Sequence, residues 1–214
     1  ESVEDLASLL GRMFDGIAFR GFDHEVAEKL ATHSKIPVWN CLTDEHHPTQ
    51  LLADAMTMQE EFGSLDGLKV VFVGDGNNNV ATSLMIGALK LGYNLHIVGP
   101  SELHPSTERM DRIYAETTEH FGTITMTENF KEGVLGADVI YNDVWVSMGD
   151  ESKTTELIDL LHSYKTTADI MNASKKSTTI YMHCLPAFHD LETEIARKFP
   201  DILEVDDDVF KGAM

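Results

Sequence analysis

The sequence has 214 residues, of which 43% are hydrophobic and 24% charged, which is usual for a soluble globular protein. Its 36 acidic and 16 basic residues give a formal net charge of −20, which argues against binding to nucleic acid or to an anionic membrane surface. No apolar run approaches the roughly 18 residues that cross a bilayer. Two cysteines, Cys41 and Cys184, argue against a disulfide framework, and the acidic, amphipathic start is not typical of a signal peptide. We therefore expect a cytoplasmic protein with reduced thiols.

Residues 1–64 predict a small unit of helices and short strands. The first helix begins near Ser2, which together with Asp5 resembles a capping box, and its apolar face is formed by Val3, Leu6, Leu10 and Met13. Short strands are expected at residues 16–21 and 37–42, with a helix between them. A longer amphipathic helix starts at Pro48 and leads to a boundary near residues 63–67.

Residues 65–214 show a different pattern, in which short apolar segments alternate with helical ones. The predicted strands are residues 69–74, 94–99, 123–127, 138–142 and 178–184, and the predicted helices are residues 80–91, 107–121 and 153–164. Such alternation indicates a doubly wound α/β unit with a parallel sheet in the strand order 3-2-1-4-5. The predicted fold class is therefore α/β, with a partial α/β unit preceding the doubly wound one.

Three polar clusters follow strands that should meet at the switch point of this sheet. GDGNNN at 74–79 follows the first strand, DVWVSMG at 143–149 follows the fourth, and HCLP at 183–186 follows the fifth. Ligands bind outside the carboxyl ends of such strands, at the point where the strand order reverses. The sequence therefore predicts one site that all three clusters share.

The glycine-rich turn has two interpretations. A dinucleotide-binding turn would need a third glycine where Asn79 stands, and an acid about 20 residues later that is not evident. The three asparagines at 77–79 are also ordinary caps and turn formers. Alternatively, they grip a carboxylate or an amine, because an amide both donates and accepts hydrogen bonds.

His47 and Gln50 lie three residues apart at the start of the helix that begins at Pro48. The positive end of the helix dipole suits a polar pair that meets a developing oxyanion, but a capping histidine and an exposed glutamine remain the alternative. Arg20 ends a short strand and, taken alone, fits a surface arginine.

Cys184 follows His183 directly, but adjacent strand residues point to opposite faces, so His183 is poorly placed to activate the thiol. A buried structural thiol is the alternative for Cys184. The histidines and cysteines show no H-x-x-x-H or C-x-x-C pattern, and we expect no metal site.

Four motifs together resemble the ornithine carbamoyltransferases: HPTQ at 47–50, GDGNNN at 74–79, DVWVSMG at 143–149 and HCLPAFHD at 183–190. GRMFDGIAFRGF at 11–22 is similar as well, and the resemblance runs along essentially the whole chain. The Ser-Met-Gly after D-x-W-x separates it from aspartate and putrescine relatives. The resemblance implies a reaction without metal or organic cofactor, in which the δ-amine of L-ornithine attacks carbamoyl phosphate and yields citrulline and phosphate.

The resemblance also implies roles on the carbamoyl-phosphate side. Arg20 and His47 would face carbamoyl phosphate and polarise its carbonyl oxygen, and Gln50 would hold the carbamoyl amide. The backbone carbonyl of Leu185 would accept a hydrogen bond from the amide nitrogen. Cys184 would lie where the two substrates meet, next to the δ-amine, and counts with Arg20 and His47 as catalytic.

On the ornithine side, the resemblance implies that Asn79 binds the α-carboxylate or the amine, with Asn78 as the fallback because the asparagine run leaves the register open. Asp143 would take the α-amino group. Ser147 and Met148 would close over ornithine as part of a loop.

The resemblance further implies two features that these 214 residues do not contain: an early Ser-x-x-Thr-Arg-type phosphate loop and a late arginine in a stretch like Ala-Glu-Asn-Arg. We therefore expect a chain truncated at both ends, with apolar surface exposed on the first unit. Full-length members are trimers or trimer-based, so a homotrimer is expected. The alternatives are a non-catalytic paralogue that binds ornithine or assembles with partners, and a nucleotide-binding oxidoreductase module that would bind a dinucleotide tightly.

Overall fold

The computed structural model describes residues 2–147 and 149–212 and contains two separate parallel sheets. The first is a pair of strands, β1 (Ile17–Arg20) and β2 (Val38–Leu42). Three helices accompany it: α1 (Val3–Met13), α2 (His24–Ser34) and α3 (Pro48–Phe62).

The ends of these helices follow from their sequences. The Ser2 hydroxyl accepts a hydrogen bond from the Asp5 N–H at 3.1 Å, which confirms the predicted cap of α1. Pro48 occupies the first turn of α3, and Gly63 ends that helix with a left-handed φ of 78°. The chain then enters the second sheet at Lys69.

The predicted apolar face of α1 is only partly buried. Leu6 and Met13 are 45% and 63% exposed, whereas Ala7 is fully buried. A Cβ atom added to Gly11 would lie 1.8 Å from the Ser34 carbonyl oxygen, so α1 meets α2 through its smallest residues. Close approach of two helix backbones decided this contact rather than apolar periodicity.

The second sheet has five parallel strands, β3 (Lys69–Val73), β4 (Asn94–Val98), β5 (Ile124–Thr127), β6 (Val139–Asn142) and β7 (Ile180–His183). Their order is β5-β4-β3-β6-β7, which confirms the predicted 3-2-1-4-5 topology. The helices are α4 (Asn79–Leu91), α5 (Thr107–Ala115), α6 (Phe130–Val134), α7 (Thr154–Leu161), α8 (Ala168–Ala173), α9 (Glu194–Lys198) and α10 (Asp207–Gly212).

Both faces of this sheet are covered, as a parallel sheet requires. Along β3, Val70 and Phe72 pack into one apolar cluster, and Val71 and Val73 pack into another on the opposite face. All four side chains have no exposed surface. The sheet is therefore a rigid base for any group placed at its edge.

Several helix predictions need correction. The helix predicted to reach residue 121 ends at Ala115, where the buried Thr117 hydroxyl donates to the Tyr114 carbonyl at 3.2 Å and competes with further helical bonding. Helix α7 is shorter than predicted and is flanked by two 3-10 turns, Glu151–Lys153 and His162–Tyr164. The sequence did not predict α6, α8, α9 or α10, which have five or six residues each and are too short to show a helical period.

No helix among the described residues is both long enough and apolar enough to cross a membrane. Cys41 and Cys184 are both free thiols, as the cysteine count predicted.

Candidate functional site

A cavity of about 1380 Å³ opens between the two sheets. Eight of the nine residues predicted for the site line it: Arg20, His47, Gln50, Asn79, Asp143, Ser147, Cys184 and Leu185. The ninth, Met148, lies outside the described residues. Side chains far apart in the sequence are therefore brought to one place.

The topology explains this convergence. Asp143 follows β6, Cys184 follows β7, and the asparagine run follows β3, so all three lie beyond the carboxyl ends of neighbouring strands at the switch point. Arg20 is the last residue of β1, and His47 precedes the first turn of α3. The carboxyl ends of the strands in both sheets therefore face the cavity.

The Asp143 carboxylate accepts three hydrogen bonds and is 8% exposed. One carboxylate oxygen accepts the Cys184 thiol at 2.9 Å and the Val144 N–H at 2.7 Å, and the other accepts the Asn78 amide at 2.9 Å. Burial raises the pKa of Asp143, although the Cys184 thiol and the other donors partly oppose this shift. The carboxylate is thus a fixed, better-than-usual proton acceptor.

Cys184 is held in its thiol form. Burial and the adjacent Asp143 carboxylate both raise the pKa of the thiol far above its ordinary value. The thiol therefore donates a hydrogen bond and is unsuited to act as a nucleophilic thiolate.

His183 lies on the other side of the strand, as its adjacency to Cys184 predicted, and pairs with Glu204 at 3.2 Å. Its Nδ1 accepts the Leu185 N–H at 2.8 Å, which places the ring proton on Nε2, facing Glu204. Burial lowers the pKa of His183 to about 4 and raises the pKa of Glu204 to about 8. Near neutral pH both groups are therefore uncharged.

Glu204 was not predicted for the site, and no local motif marks it. It is fully buried, and besides His183 it accepts the backbone N–H of Phe188. Together these bonds hold the turn that carries Leu185, whose φ is 57°. A buried carboxyl group therefore fixes the backbone conformation of this turn.

The three asparagines have three different partners. Asn77 donates to the His104 carbonyl at 3.1 Å, and Asn79 donates across the cavity to the Thr43 carbonyl at 2.7 Å. Asn78 caps α4 by accepting the Ala81 N–H at 2.7 Å and also bonds to Asp143. Asn78 therefore caps the helix, as the turn interpretation predicts, and its amide also contacts a carboxylate inside the cavity.

His47 and Arg20 form the opposite corner of the cavity. The His47 side chain makes no capping hydrogen bond to its helix, so the alternative of a capping histidine is wrong. Burial and the nearby Arg20 charge both lower the pKa of His47, which keeps the imidazole neutral at pH 7. A neutral donor beside an exposed guanidinium suits the binding of an oxygen that gains negative charge.

Gln50 is half-buried rather than exposed, and its amide nitrogen donates to Asp54 at 2.9 Å. Asp54 is only 4% exposed and also accepts the Tyr141 hydroxyl at 2.8 Å. Burial raises the pKa of Asp54 to about 6. Asp54 was not among the predicted site residues, although its position four residues after Gln50 places it on the same helix face.

The loop after β6 approaches the first unit at Phe22. A Cβ atom added to Gly149 would lie 2.7 Å from the Phe22 ring, and Gly149 has a φ of 95°. Phe22 and Ser147 line the cavity together. Glycine is required here both by the backbone conformation and by the aromatic contact.

Among the described residues, one group could in principle ligate a metal ion: His189, Asp190 and Asp207. These side chains already pair with one another, and Lys211 bonds to Asp207 at 2.7 Å. None of the three lines the cavity.

Comparison with protein families matches both parts of the chain. Residues 66–214 match the family description "Aspartate/ornithine carbamoyltransferase, Asp/Orn binding domain". Residues 1–60 match "Aspartate/ornithine carbamoyltransferase, carbamoyl-P binding domain".

Individual proteins are similar over nearly the whole chain. An ornithine carbamoyltransferase 2, described as phaseolotoxin-insensitive, from Pseudomonas syringae pv. actinidiae is 58% identical over 99% of this chain, which spans 65% of that relative. A catabolic ornithine carbamoyltransferase from Streptococcus gordonii is 50% identical, and the chain spans 64% of it. A solved ornithine carbamoyltransferase from Pyrococcus furiosus superposes with a TM-score of 0.82 at 37% identity, covering 98% of this chain and 63% of that structure.

Proposed function

The chain belongs to the aspartate/ornithine carbamoyltransferase family, and from this premise we propose that the full-length protein carries the ornithine activity. In this reaction the carbamoyl group of carbamoyl phosphate passes to the δ-amine of L-ornithine, giving L-citrulline and phosphate. Because the chain spans 65% of its relative from Pseudomonas syringae, the proposal concerns the whole protein.

One observation carries the proposal: the buried Asp143 carboxylate meets the Cys184 thiol and the Asn78 amide in a cavity that also contains an arginine and a histidine. Asp143 supplies a negative charge for an ammonium group, whereas Arg20 supplies a positive charge for a phosphorylated substrate. A cavity with these opposite ends suits one cationic and one anionic substrate.

On the ornithine side, Asp143 binds the α-amino group. Asn78 is the stronger of the two asparagine candidates, because its amide lies against Asp143, whereas the Asn79 amide is bonded to Thr43. Ser147 and Met148 contribute from the loop after β6, which ends near Phe22.

The attacking amine must be neutral, although a free alkylamine has a pKa near about 10.4. Cys184 is already protonated and cannot take the proton, so the proton passes toward Asp143, whose pKa is raised by burial. Cys184 then orients the δ-amine and donates to Asp143. This places the base function on the carboxylate rather than on the thiol.

On the carbamoyl-phosphate side, Arg20 and neutral His47 donate to the carbonyl oxygen as it gains negative charge. Gln50 and the Leu185 carbonyl hold the carbamoyl amide. The attack then needs alignment of the amine with the carbonyl carbon. As the new C–N bond forms, the C–O bond to phosphate breaks, and the departing phosphate takes the second proton from the attacking nitrogen.

We also propose that the full-length protein is a homotrimer in the cytoplasm, with a domain division near residue 64. Sedimentation analysis of the full-length protein tests the oligomeric state. A monomer would contradict it.

The decisive experiment is citrulline formation by the full-length protein, with L-aspartate and putrescine as competing acceptors. We expect turnover with ornithine alone. Turnover with aspartate or putrescine would assign the chain to another activity in the family, and ornithine binding without turnover would support the non-catalytic alternative.

A further inference from the structure

Asp54 has no place in the reaction described above, yet it is an almost completely buried carboxylate next to the cavity wall. Its two hydrogen bonds come from different parts of the fold, Gln50 of α3 at 2.9 Å and Tyr141 of β6 at 2.8 Å. A buried carboxylate is costly unless such donors satisfy it. The position therefore calls for a specific explanation.

The chemistry of the carboxylate determines how Gln50 is turned. An ionised carboxylate only accepts hydrogen bonds, so Gln50 must present its amide nitrogen to Asp54. The nitrogen and oxygen of an amide lie on opposite sides, which leaves the Gln50 Oε1 atom for the cavity that this residue lines. The site thus offers an acceptor at Gln50.

We propose that Asp54 is a positioning residue that fixes the Gln50 Oε1 atom as an acceptor for the NH₂ group of the bound carbamoyl substrate, and so selects acyl phosphates that carry an N–H donor. This inference rests on the proposed function. Acetyl phosphate has nearly the same shape but a methyl group in place of NH₂. It would leave the Gln50 oxygen without a partner, which a buried polar site penalises.

Protonation of Asp54 should weaken this selection. A protonated Asp54 donates a hydrogen bond, so Gln50 can rotate to accept it and turn its nitrogen into the cavity. Burial raises the pKa of Asp54 to about 6, and His183, whose pKa is about 4, is neutral there. Cys184, Tyr93 and Tyr141 also stay neutral, because burial raises the pKa of each. Asp143 accepts the Cys184 thiol, and burial raises its pKa as well.

The test compares Asp54→Leu and Gln50→Ala in the full-length protein. We measure the KM for carbamoyl phosphate and the inhibition constant of acetyl phosphate, whose ratio reports selection for the N–H donor. Asp54→Leu should raise the KM for carbamoyl phosphate by about tenfold, because one oriented hydrogen bond is lost. The inhibition constant of acetyl phosphate should stay within about twofold of the wild-type value. The double variant should have the same KM for carbamoyl phosphate as Gln50→Ala alone, because Asp54 acts through Gln50.

Two variants serve as controls. Tyr141→Phe removes the other hydrogen bond to the same carboxylate, so it should lower stability. Because that hydrogen bond also lowers the pKa of Asp54, the ratio is measured at about pH 8, where Asp54 stays ionised and the ratio should be unchanged. Asp54→Asn can still accept from Gln50 while it donates to the Tyr141 hydroxyl. The Asp54→Asn variant should therefore have the wild-type ratio at neutral pH. In the wild type the selection should decline as the pH falls through about 6, whereas in this variant it should not.

A purely structural role of Asp54 predicts other results. Both acyl phosphates would then bind more weakly in Asp54→Leu, and the effects of Asp54→Leu and Gln50→Ala would add. Either result overturns the proposal. If the wild type forms no citrulline, the proposed function fails, but calorimetric binding of carbamoyl phosphate and acetyl phosphate still tests Asp54. If Asp54→Leu does not fold, Asp54→Asn and its pH profile decide the question.

Discussion

The two sheets support the two sides of the cavity very differently. In residues 2–62 the sheet has two strands, and large apolar side chains such as Trp39 and Leu52 are 54% and 64% exposed. In residues 69–212 the sheet has five strands, and strand residues such as Phe72 and Leu95 are fully buried. The expected exposed apolar surface on the first unit is present.

This difference extends to the functional groups. Asp143 is hydrogen-bonded to Cys184 and to the buried Asn78. Arg20 is the exposed last residue of β1, and among the described residues its side chain forms no hydrogen bond or ion pair. Precise placement of a reacting group requires surrounding residues that restrict it. Asp143 and Cys184 are therefore held more firmly within this chain than Arg20 is. Four predictions test this contrast.

The largest expected effect is on folding stability. Leu95→Ala removes a fully buried side chain from β4 and should cost about 2–5 kcal/mol, because a cavity remains. Leu52→Ala is the matched change on an exposed face of α3 and should cost less than about 0.5 kcal/mol. Urea unfolding of the 214-residue chain measures both. Equal losses would show that the two units are equally well packed.

Loss of the central carboxylate should come next. Asp143→Asn removes the charge that binds the ammonium, and the ornithine affinity measured by calorimetry should fall by at least about tenfold. Asp138→Asn is the control, because Asp138 precedes the same strand β6 at its opposite end and pairs with Lys176. An unchanged ornithine affinity in Asp143→Asn would remove Asp143 from the site.

The buried pair Glu204 and His183 should make stability depend on pH. The raised pKa of Glu204, about 8 against an ordinary 4.5, means that the folded state binds the proton more tightly, so stability declines as the pH rises from 4.5 to 8. The lowered pKa of His183, about 4 against 6.5, opposes this decline below pH 6.5. The net decline should therefore appear between pH 6.5 and 8 and amount to about 1–2 kcal/mol.

Glu204→Gln should flatten that decline, as measured by urea unfolding at pH 6.5 and pH 8. Glu192→Gln changes an exposed carboxylate instead and should leave the wild-type decline in place. A decline in Glu204→Gln as steep as in the wild type would mean that another group titrates.

The smallest effect is expected where the two units touch. Gly149→Ala places a side chain at a φ of 95° and against Phe22, so it should displace the loop and raise the KM for ornithine by several fold, consistent with roughly 1 kcal/mol of strain. Gly136→Ala is the control, since Gly136 has a φ of 75° but no neighbouring atom near its Cβ position. It should cost similar stability and leave the KM unchanged. Equal KM values in the two variants would argue against a role for the Phe22 contact.

Much of the second unit could be predicted from the sequence. Fully apolar strands such as residues 70–73 alternate with helices, and this pattern implies a parallel sheet. The strand order, and with it the edge where Asp143 and Cys184 meet, followed by analogy with doubly wound folds. The HPTQ motif likewise predicted a polar pair at the start of α3, and both His47 and Gln50 line the cavity. In both cases the information is local, because strand period and turn composition are properties of short segments.

Other features arose only from the tertiary structure. Glu204 supports the Leu185 turn from about 20 positions away, and Tyr141 meets Asp54 across 87 positions, so no local pattern records either contact. The burial of α1 likewise depends on its packing against α2. Whether Asn78 or Asn79 bonds to Asp143 depends on how the turn after β3 packs against the strand end at Asp143. Local patterns were sufficient to predict the strands and the chemical groups at their carboxyl ends. The buried partners that orient those groups could not be predicted, because hydrogen bonding and burial depend on packing between segments distant in sequence.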